Sequence, residues 1–255
     1  MKLGAQLYTV RAFAKDLDSF SETLKKVADM GYTAMQVSGT CDFEAEWLAA
    51  ELKKNGLVCP VTHTKAQAIL ENTQAVCESH KTFGASHVGL GAMPDIKLLD
   101  DEIYDRFVRN FLPTAKTIKE NGCKFAYHNH NHEFTRSESG QTYMDRILED
   151  FPAELLDIIC DTYWVQAGGL DVAAFLRRLK GRASCIHLKD MAIAMPREQR
   201  YAPIGDGNMN FGAILSAAED AGAQYLFVEQ DDCYGEDPFE CLRRSYHYLH
   251  ALGLS

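Results

Sequence analysis

The chain has 255 residues, with 36 Asp and Glu against 26 Lys and Arg and a formal net charge of −10. A polyanion needs clustered Lys and Arg to replace its counterions, and no dense basic run is present, so nucleic acid is excluded as the expected partner. A neutral, polyhydroxylated or metal-chelated small carbohydrate suits this composition better. No apolar stretch is long enough to span a bilayer, and Met1 runs directly into a strand-like segment, so neither membrane insertion nor a signal peptide is expected. The eight cysteines form no C-x-x-C pair and mostly sit in apolar runs, which reads as free thiols in a reducing cytoplasm.

Apolar, β-branched and aromatic runs alternate with helical periodicity along the whole chain. Leu3 to Val10 reads as a strand, and a helix follows over Leu17–Met30 with Phe20, Leu24 and Val27 at helical spacing. Tyr32–Val37 is the second strand and Glu44–Lys54 the second helix. Leu57–Thr62 is a strand, Gln67–Phe83 a helix, His87–Leu90 a strand, Ile103–Glu120 a helix and Cys123–Asn129 the fifth strand. Then come a short helix at Tyr143–Glu149, a strand at Leu155–Cys160, a helix at Val172–Leu179 and a strand at Ala183–Leu188. Phe211–Ala221 (helix), Tyr225–Glu229 (strand) and Phe239–Leu252 (helix) complete the series. Glycines close the units at Gly31, Gly56, Gly84, Gly122, Gly181 and Gly222, where a helix C-cap belongs. Eight βα units over residues 1–255 predict a single-domain (β/α)₈ TIM barrel. An open doubly wound sheet is disfavoured, because no strand is followed by a complete G-x-G-x-x-G turn. The longest irregular stretch expected is Lys189–Asn210, a length usually found in functional loops.

In such barrels chemistry sits at the C-terminal strand ends. The fifth run is followed by His128, Asn129, His130, Asn131, His132 and Glu133. The sixth is followed by Asp161, the seventh ends in His187 with Lys189 two residues on, and the eighth ends in Glu229. Four successive strands thus offer a metal-binding group. Glu133, Asp161, His187 and Glu229 form an O,N,O,O set suited to one divalent ion, Mn²⁺ first, with Co²⁺, Fe²⁺, Mg²⁺ or Zn²⁺ as alternatives. A metal chelating a ketone oxygen and its neighbouring hydroxyl neutralises charge as the adjacent C–H loses its proton. A carboxylate beside the carbon, Glu133 or Glu229, serves as base with His187 in support. Proton return to the opposite face epimerises, return to the next carbon isomerises, and a β leaving group turns the reaction into elimination.

Gln6–Arg11, His128-Asn129-His130-Asn131-His132-Glu133-Phe134, Cys160-Asp161-Thr162-Tyr163-Trp164, His187-Leu188-Lys189-Asp190, Pro203–Asn208 and Val228-Glu229-Gln230-Asp231 together resemble the sugar phosphate isomerase/epimerase family of xylose-isomerase-like TIM barrels. The resemblance implies a Glu, Asp, His, Glu metal site, here Glu133, Asp161, His187 and Glu229, and an isomerase or epimerase acting on a small ketose or keto-sugar. Keto-sugar dehydratases and 3-keto-glycoside lyases share the barrel and stand as the alternative, with a non-catalytic sugar-binding subunit behind them. One departure is that 3-epimerases of this superfamily carry the first Glu at the strand terminus, where this chain has His128; either His128 or a folded-back Glu133 is then the first ligand.

Other residues have two readings each. His128 and His130 fall on one face by strand alternation and are expected to bond substrate or a ligand carboxylate; His132 is read as a solvated loop residue. His63 is a substrate contact or a core histidine, Lys189 a contact to a substrate oxygen, and Tyr8 and Trp164 pocket walls or core. Asp206 is a loop gate or a turn residue. The apolar stretch Met191–Met195 packs on the barrel rim or on a second subunit of a homo-oligomer.

Overall fold

Every barrel strand turns alternate side chains inward, and this alternation builds the interior in layers. The computed structural model describes residues 1–254. Its strands are β1 Lys2–Gln6, β2 Ala34–Gln36, β3 Val61–His63, β4 His87–Leu90, β5 Lys124–His128, β6 Leu156–Asp161, β7 Cys185–Leu188, β8 Asp190–Ala194, β9 Glu198–Ala202 and β10 Tyr225–Val228. Eight of them form one parallel sheet in the order β2-β1-β10-β7-β6-β5-β4-β3, and single bridges Ala34–Val58 and Val37–Thr62 bring its two edges together. The chain therefore closes into the expected TIM barrel.

The outer ring is α1 Leu17–Asp29, α2 Ala45–Asn55, α3 Ala66–Glu71, α4 Thr73–Thr82, α5 Asp101–Glu120, α6 Tyr143–Asp150, α7 Thr162–Ala167, α8 Val172–Arg178, α9 Phe211–Ala221 and α10 Pro238–Ala251. Short polar side chains start these helices by accepting backbone N–H bonds: Asp16 and Thr142 in reciprocal capping boxes, and Asp100, Asp171 and Asp237 alone. Three expectations are corrected. The first strand stops at Gln6, where the Gln6 side chain accepts the Tyr8 N–H and turns the chain into a 3₁₀ segment, Leu7–Phe13. The single helix expected at Gln67–Phe83 breaks at Asn72 into α3 and α4. The stretch expected to be irregular pairs as the antiparallel hairpin β8–β9.

Inside the barrel, Ala34, Val61, Ala126, Ile159, Cys185 and Phe227 form the middle apolar layer, apart from the larger core between sheet and helices. Phe227 fills the axis because its neighbour on β1 is Gly4, where a Cβ would stand 2.7 Å from the ring. Below this layer Asp157 accepts bonds from Lys124 Nζ (3.1 Å) and from the Ser184 N–H (2.9 Å) and hydroxyl, with His87 Nε2 at 3.5 Å. On β6 the inward residues Asp157, Ile159 and Asp161 thus read floor, plug and site.

Burial pushes the Asp157 carboxyl up, but its bonds to His87, Ser184 and Lys124 outweigh that and hold it well below the usual carboxylate range. A depressed folded-state pKa adds stability above the unfolded value near 3.9 and loses it as pH falls through the folded value. Asp157→Asn is therefore expected to cost about 2–3 kcal/mol in urea unfolding at pH 7. The difference from the native chain should shrink below about pH 4.

Candidate metal centre

One layer above Phe227 the inward residues turn polar. His128, Asp161, His187 and Glu229 are all buried, and one ligand atom from each lies within 4.8 Å of the others. Three of the four are oriented by a neighbour outside the cluster. Asp161 caps α7: its Oδ1 accepts the Trp164 N–H (3.0 Å), its own N–H donates to Asn129 Oδ1 (3.0 Å), and Oδ2 is left facing the cluster. His187 Nε2 pairs with Gln36 Oε1 at 2.7 Å; the amide oxygen only accepts, so the proton sits on Nε2 and Nδ1 presents its lone pair. That Nδ1 lies 3.0 Å from Glu229 Oε2 and 3.8 Å from Asp161 Oδ2. His128 Nδ1 pairs with the Gly91 carbonyl (2.9 Å) by the same logic, which aims the Nε2 lone pair at Asp161 Oδ2, 3.3 Å away. Lone pairs facing carboxylates favour a cation or a proton between them; burial opposes charge on His128, yet Asp161 and Glu229 beside it raise its pKa in that same sense. Neutral imidazoles fixed in tautomer by a second partner are the arrangement that metal-binding histidines use.

The charge tally agrees. Lys189 is buried with its Nζ 2.9 Å from Asp161 Oδ2, 2.8 Å from Glu229 Oε2 and 3.0 Å from Asp231 Oδ1. Three carboxylates around one ammonium leave two negative charges uncompensated, which a doubly charged ion would balance. Burial opposes charge on Lys189, Asp161 and Glu229, yet their mutual attraction wins: Lys189 rises well above its ordinary value, Glu229 falls well below its own, and Asp161 is lowered. Burial and the nearby Glu229 push Asp231 up, as anionic charge in excess of the lysine requires. The residues fit a divalent metal.

The structure does not bring Glu133 to this cluster, although it was expected there both as a ligand and as a base. It is buried in the short 3₁₀ turn His132–Phe134, where Oε1 accepts the Tyr127 hydroxyl (2.5 Å) and Oε2 the His130 N–H (2.9 Å). Both oxygens are spent on holding the His130 loop against β5, and burial raises the carboxyl. His128, expected at the substrate, takes the first position instead. The donor set becomes N,O,N,O, softer than expected, which moves the balance from Mg²⁺ towards Zn²⁺, Co²⁺, Fe²⁺ and Mn²⁺.

Above the cluster lies a pocket of about 200 Å³. Tyr8, His63, His128, His130, Trp164 and Lys189, all expected at the substrate, line it. His63 Nε2, His130 Nδ1 and Trp164 Nε1 are buried there with no hydrogen-bond partner among the described residues. Burial and the neighbouring His128 lower His63 well below its usual value and His130 to about 3, so both are neutral hydrogen-bonding groups at pH 7. Tyr8 stands at the mouth with the Arg11 guanidinium 4.0 Å over its ring. Asp206 does not line the pocket and pairs with Arg244 (3.3 Å) on the outer surface. Its loop is anchored by Asp190, which accepts N–H bonds from Gly205, Gly207 and Met209.

Sequence reasoning missed Gln36, Gly91 and Asp231 as site residues. Gln36 and Gly91 follow from the same strand-end rule applied to the second and fourth runs. Asp231 stood in a quoted motif without a role.

The profile of the xylose isomerase-like TIM barrels matches residues 24–245. The chain belongs to that family. The chain is similar to the inosose dehydratase of Mesomycoplasma hyopneumoniae (strain 7448), 23% identical over 270 residues, covering 92% of this chain and 89% of the relative. Among solved structures, a sugar phosphate isomerase/epimerase from Parabacteroides distasonis ATCC 8503 superposes with a TM-score of 0.81 at 21% identity, covering 98% of this chain and 93% of that one. The IOLI protein with a bound zinc atom superposes with a TM-score of 0.73 at 14% identity, covering 99% and 98%. The proteins this chain is similar to thus include one named as an isomerase/epimerase and one named as a dehydratase, and no helix of the described residues is long and apolar enough to cross a membrane.

In calorimetric titration with Zn²⁺ or Mn²⁺, His128→Ala is expected to weaken binding at least tenfold, and Gln36→Leu by about 10–100-fold through loss of the His187 partner. Glu133→Gln should stay within about threefold of the native chain, because it lies outside the donor set. A large loss in Glu133→Gln with none in His128→Ala would reverse the assignment.

Proposed function

We infer that this chain is a divalent-metal-dependent enzyme that enolises a small keto-sugar, removing the proton beside the carbonyl and returning it as an isomerase or epimerase. The observation that carries this reading is the convergence of four buried donors beneath a pocket whose upper wall offers unpaired hydrogen-bonding atoms. When bound, the metal would supply Lewis-acid stabilisation of the charge that grows on the substrate oxygens. His128, Asp161, His187 and Glu229 are the residues that would hold it.

The chain's own groups supply the rest. Glu229 is held ionised by Lys189 and is the candidate base. Lys189 offers a buried, permanently charged donor beside that base, suited to an oxygen that gains negative charge. His63, His130 and Trp164 bind and orient hydroxyls as neutral partners, and the Trp164 ring, with the Lys189 ammonium 5.6 Å from its centroid, walls the pocket against water. A polyhydroxylated substrate satisfies all three orphaned atoms at once, whereas a hydrocarbon would leave them unpaired.

One observation favours a second reading, a keto-sugar dehydratase or lyase. Epimerisation is best served by two carboxylates on opposite faces of the carbon, and Glu133 is committed elsewhere. The remaining pair, Glu229 and Lys189, stand 2.8 Å apart, which places a base and a charged hydrogen-bond donor to a departing oxygen on one face. The supporting likenesses divide in the same way, between an isomerase/epimerase and an inosose dehydratase.

The test is proton–deuterium exchange by NMR. The protein, loaded with Mn²⁺ or Zn²⁺, is mixed in D₂O with ketoses and methyl 3-keto-β-D-glucopyranoside. Exchange at a carbon beside the carbonyl is expected, and it should fall at least about a thousandfold in Glu229→Gln, as for loss of a positioned base together with a ligand. The product then separates proton return from elimination. No exchange with metal bound, or exchange unaltered in Glu229→Gln, would overturn the reading.

A further inference from the structure

The polar pocket is not the largest hollow in the barrel. A groove of about 630 Å³ runs beside it, between the loop after β2 and helix α4. The two share His63, and the chain at the end of β2 alternates between them: Ser38 lines the polar pocket, while Val37 and Gly39 line the groove. Their chemistry differs. The groove is walled by Phe43 and Phe83, edge to face at 6.4 Å, and by Val76 and Ala68. Its threonine hydroxyls are already used: Thr62 Oγ1 lies 2.8 Å from both Thr64 Oγ1 and His80 Nε2, and Thr40 Oγ1 donates to the Cys41 carbonyl, leaving Ser79 as the one lining hydroxyl with no such bond among the described residues. At the mouth Lys65 and Asp42 face each other at 3.9 Å, so the rim carries no net charge.

A hollow of about 200 Å³ holds roughly one sugar ring, and the groove beside it has the size and lining of a small-molecule site. We propose that the groove is a second subsite, which takes an uncharged, apolar and preferably aromatic substituent carried by the sugar. The substrate class is then a keto-glycoside with such a substituent rather than a free keto-sugar. This deepens the enolising reading above and rests on it for the sugar end only. The neutral rim disfavours a phosphate or carboxylate tail, the satisfied threonines give a second sugar ring few partners, and the two phenyl rings favour a planar apolar body.

The test separates the groove from the chemistry. Dissociation constants of the metal-loaded protein for phenyl and methyl β-D-glucopyranoside are measured by calorimetry. The phenyl glycoside is expected to bind at least about tenfold tighter, as burying one aromatic ring gives. Ala68→Phe, which fills the groove away from the polar pocket, should abolish that preference and leave the methyl glycoside's affinity unchanged. Equal affinities in the native chain, binding of neither glycoside, or a preference that survives Ala68→Phe overturns the proposal. So does a dimer in light scattering that Ala68→Arg dissociates, with no phenyl preference, because the groove then belongs to a second copy. Deuterium exchange into methyl 3-keto-β-D-glucopyranoside is read in parallel. Its absence beside an intact phenyl preference fells the enolising reading alone, and its presence without the preference fells the groove alone.

Discussion

Three carboxylates meet one ammonium at the mouth of this barrel, with Asp161, Glu229 and Lys189 buried and Asp231 partly buried. Like charges buried within a few ångströms of each other repel strongly, and the ammonium offsets only part of that repulsion. The uncompensated charge is what makes the site a cation trap. It also explains why three of the four have an external holder: the Gln36 amide for His187, the Gly91 carbonyl for His128, and the start of α7 for Asp161. Without them the side chains would relax away from one another.

The barrel supplies the rigidity this demands. Strand alternation stacks a polar floor around Asp157, an apolar plug around Phe227 and the charged layer, so the carboxylates rest on packed hydrocarbon rather than on a wet channel. Close-packed layers do not deform gradually, which keeps the donors within bonding range of a single ion. The loops add two clamps. Asp190 gathers the backbone of the Gly205–Met209 loop through three N–H bonds, and Thr162 exchanges bonds with the Lys189 backbone on both its N–H and its carbonyl, fixing the base of the lysine arm. Asp190 and Thr162, in two of the strand-end motifs, thus act as scaffolding.

Much of this was legible before the coordinates. The eight-unit alternation gave the barrel, and the residues ending successive strands gave Asp161, His187 and Glu229, because a strand end in this fold points at one common centre. Strand alternation put His128 and His130 on the same face, and both line the pocket. What failed was Glu133. A glutamate in a loop can reach in several directions, and only the position of the Tyr127 hydroxyl, one strand residue before His128, shows where its carboxylate is held. The hairpin β8–β9 and the break at Asn72 were missed for a related reason: both depend on what packs against the segment, not on its own periodicity.

The sequence by itself determined the periodic features: strand and helix order, closure into a barrel, and the chemical type of the groups at each strand end. These follow from local rules, with period two for strands, 3.6 for helices and glycine or capping residues at their limits. Only the tertiary structure decided which of several nearby polar groups share a centre, that Lys189 lies among the carboxylates, that His128 replaces Glu133, and that an apolar groove opens beside His63. Those outcomes turn on distances of an ångström or two between residues far apart in the chain, and on competition for hydrogen bonds. Pattern along one dimension does not encode either.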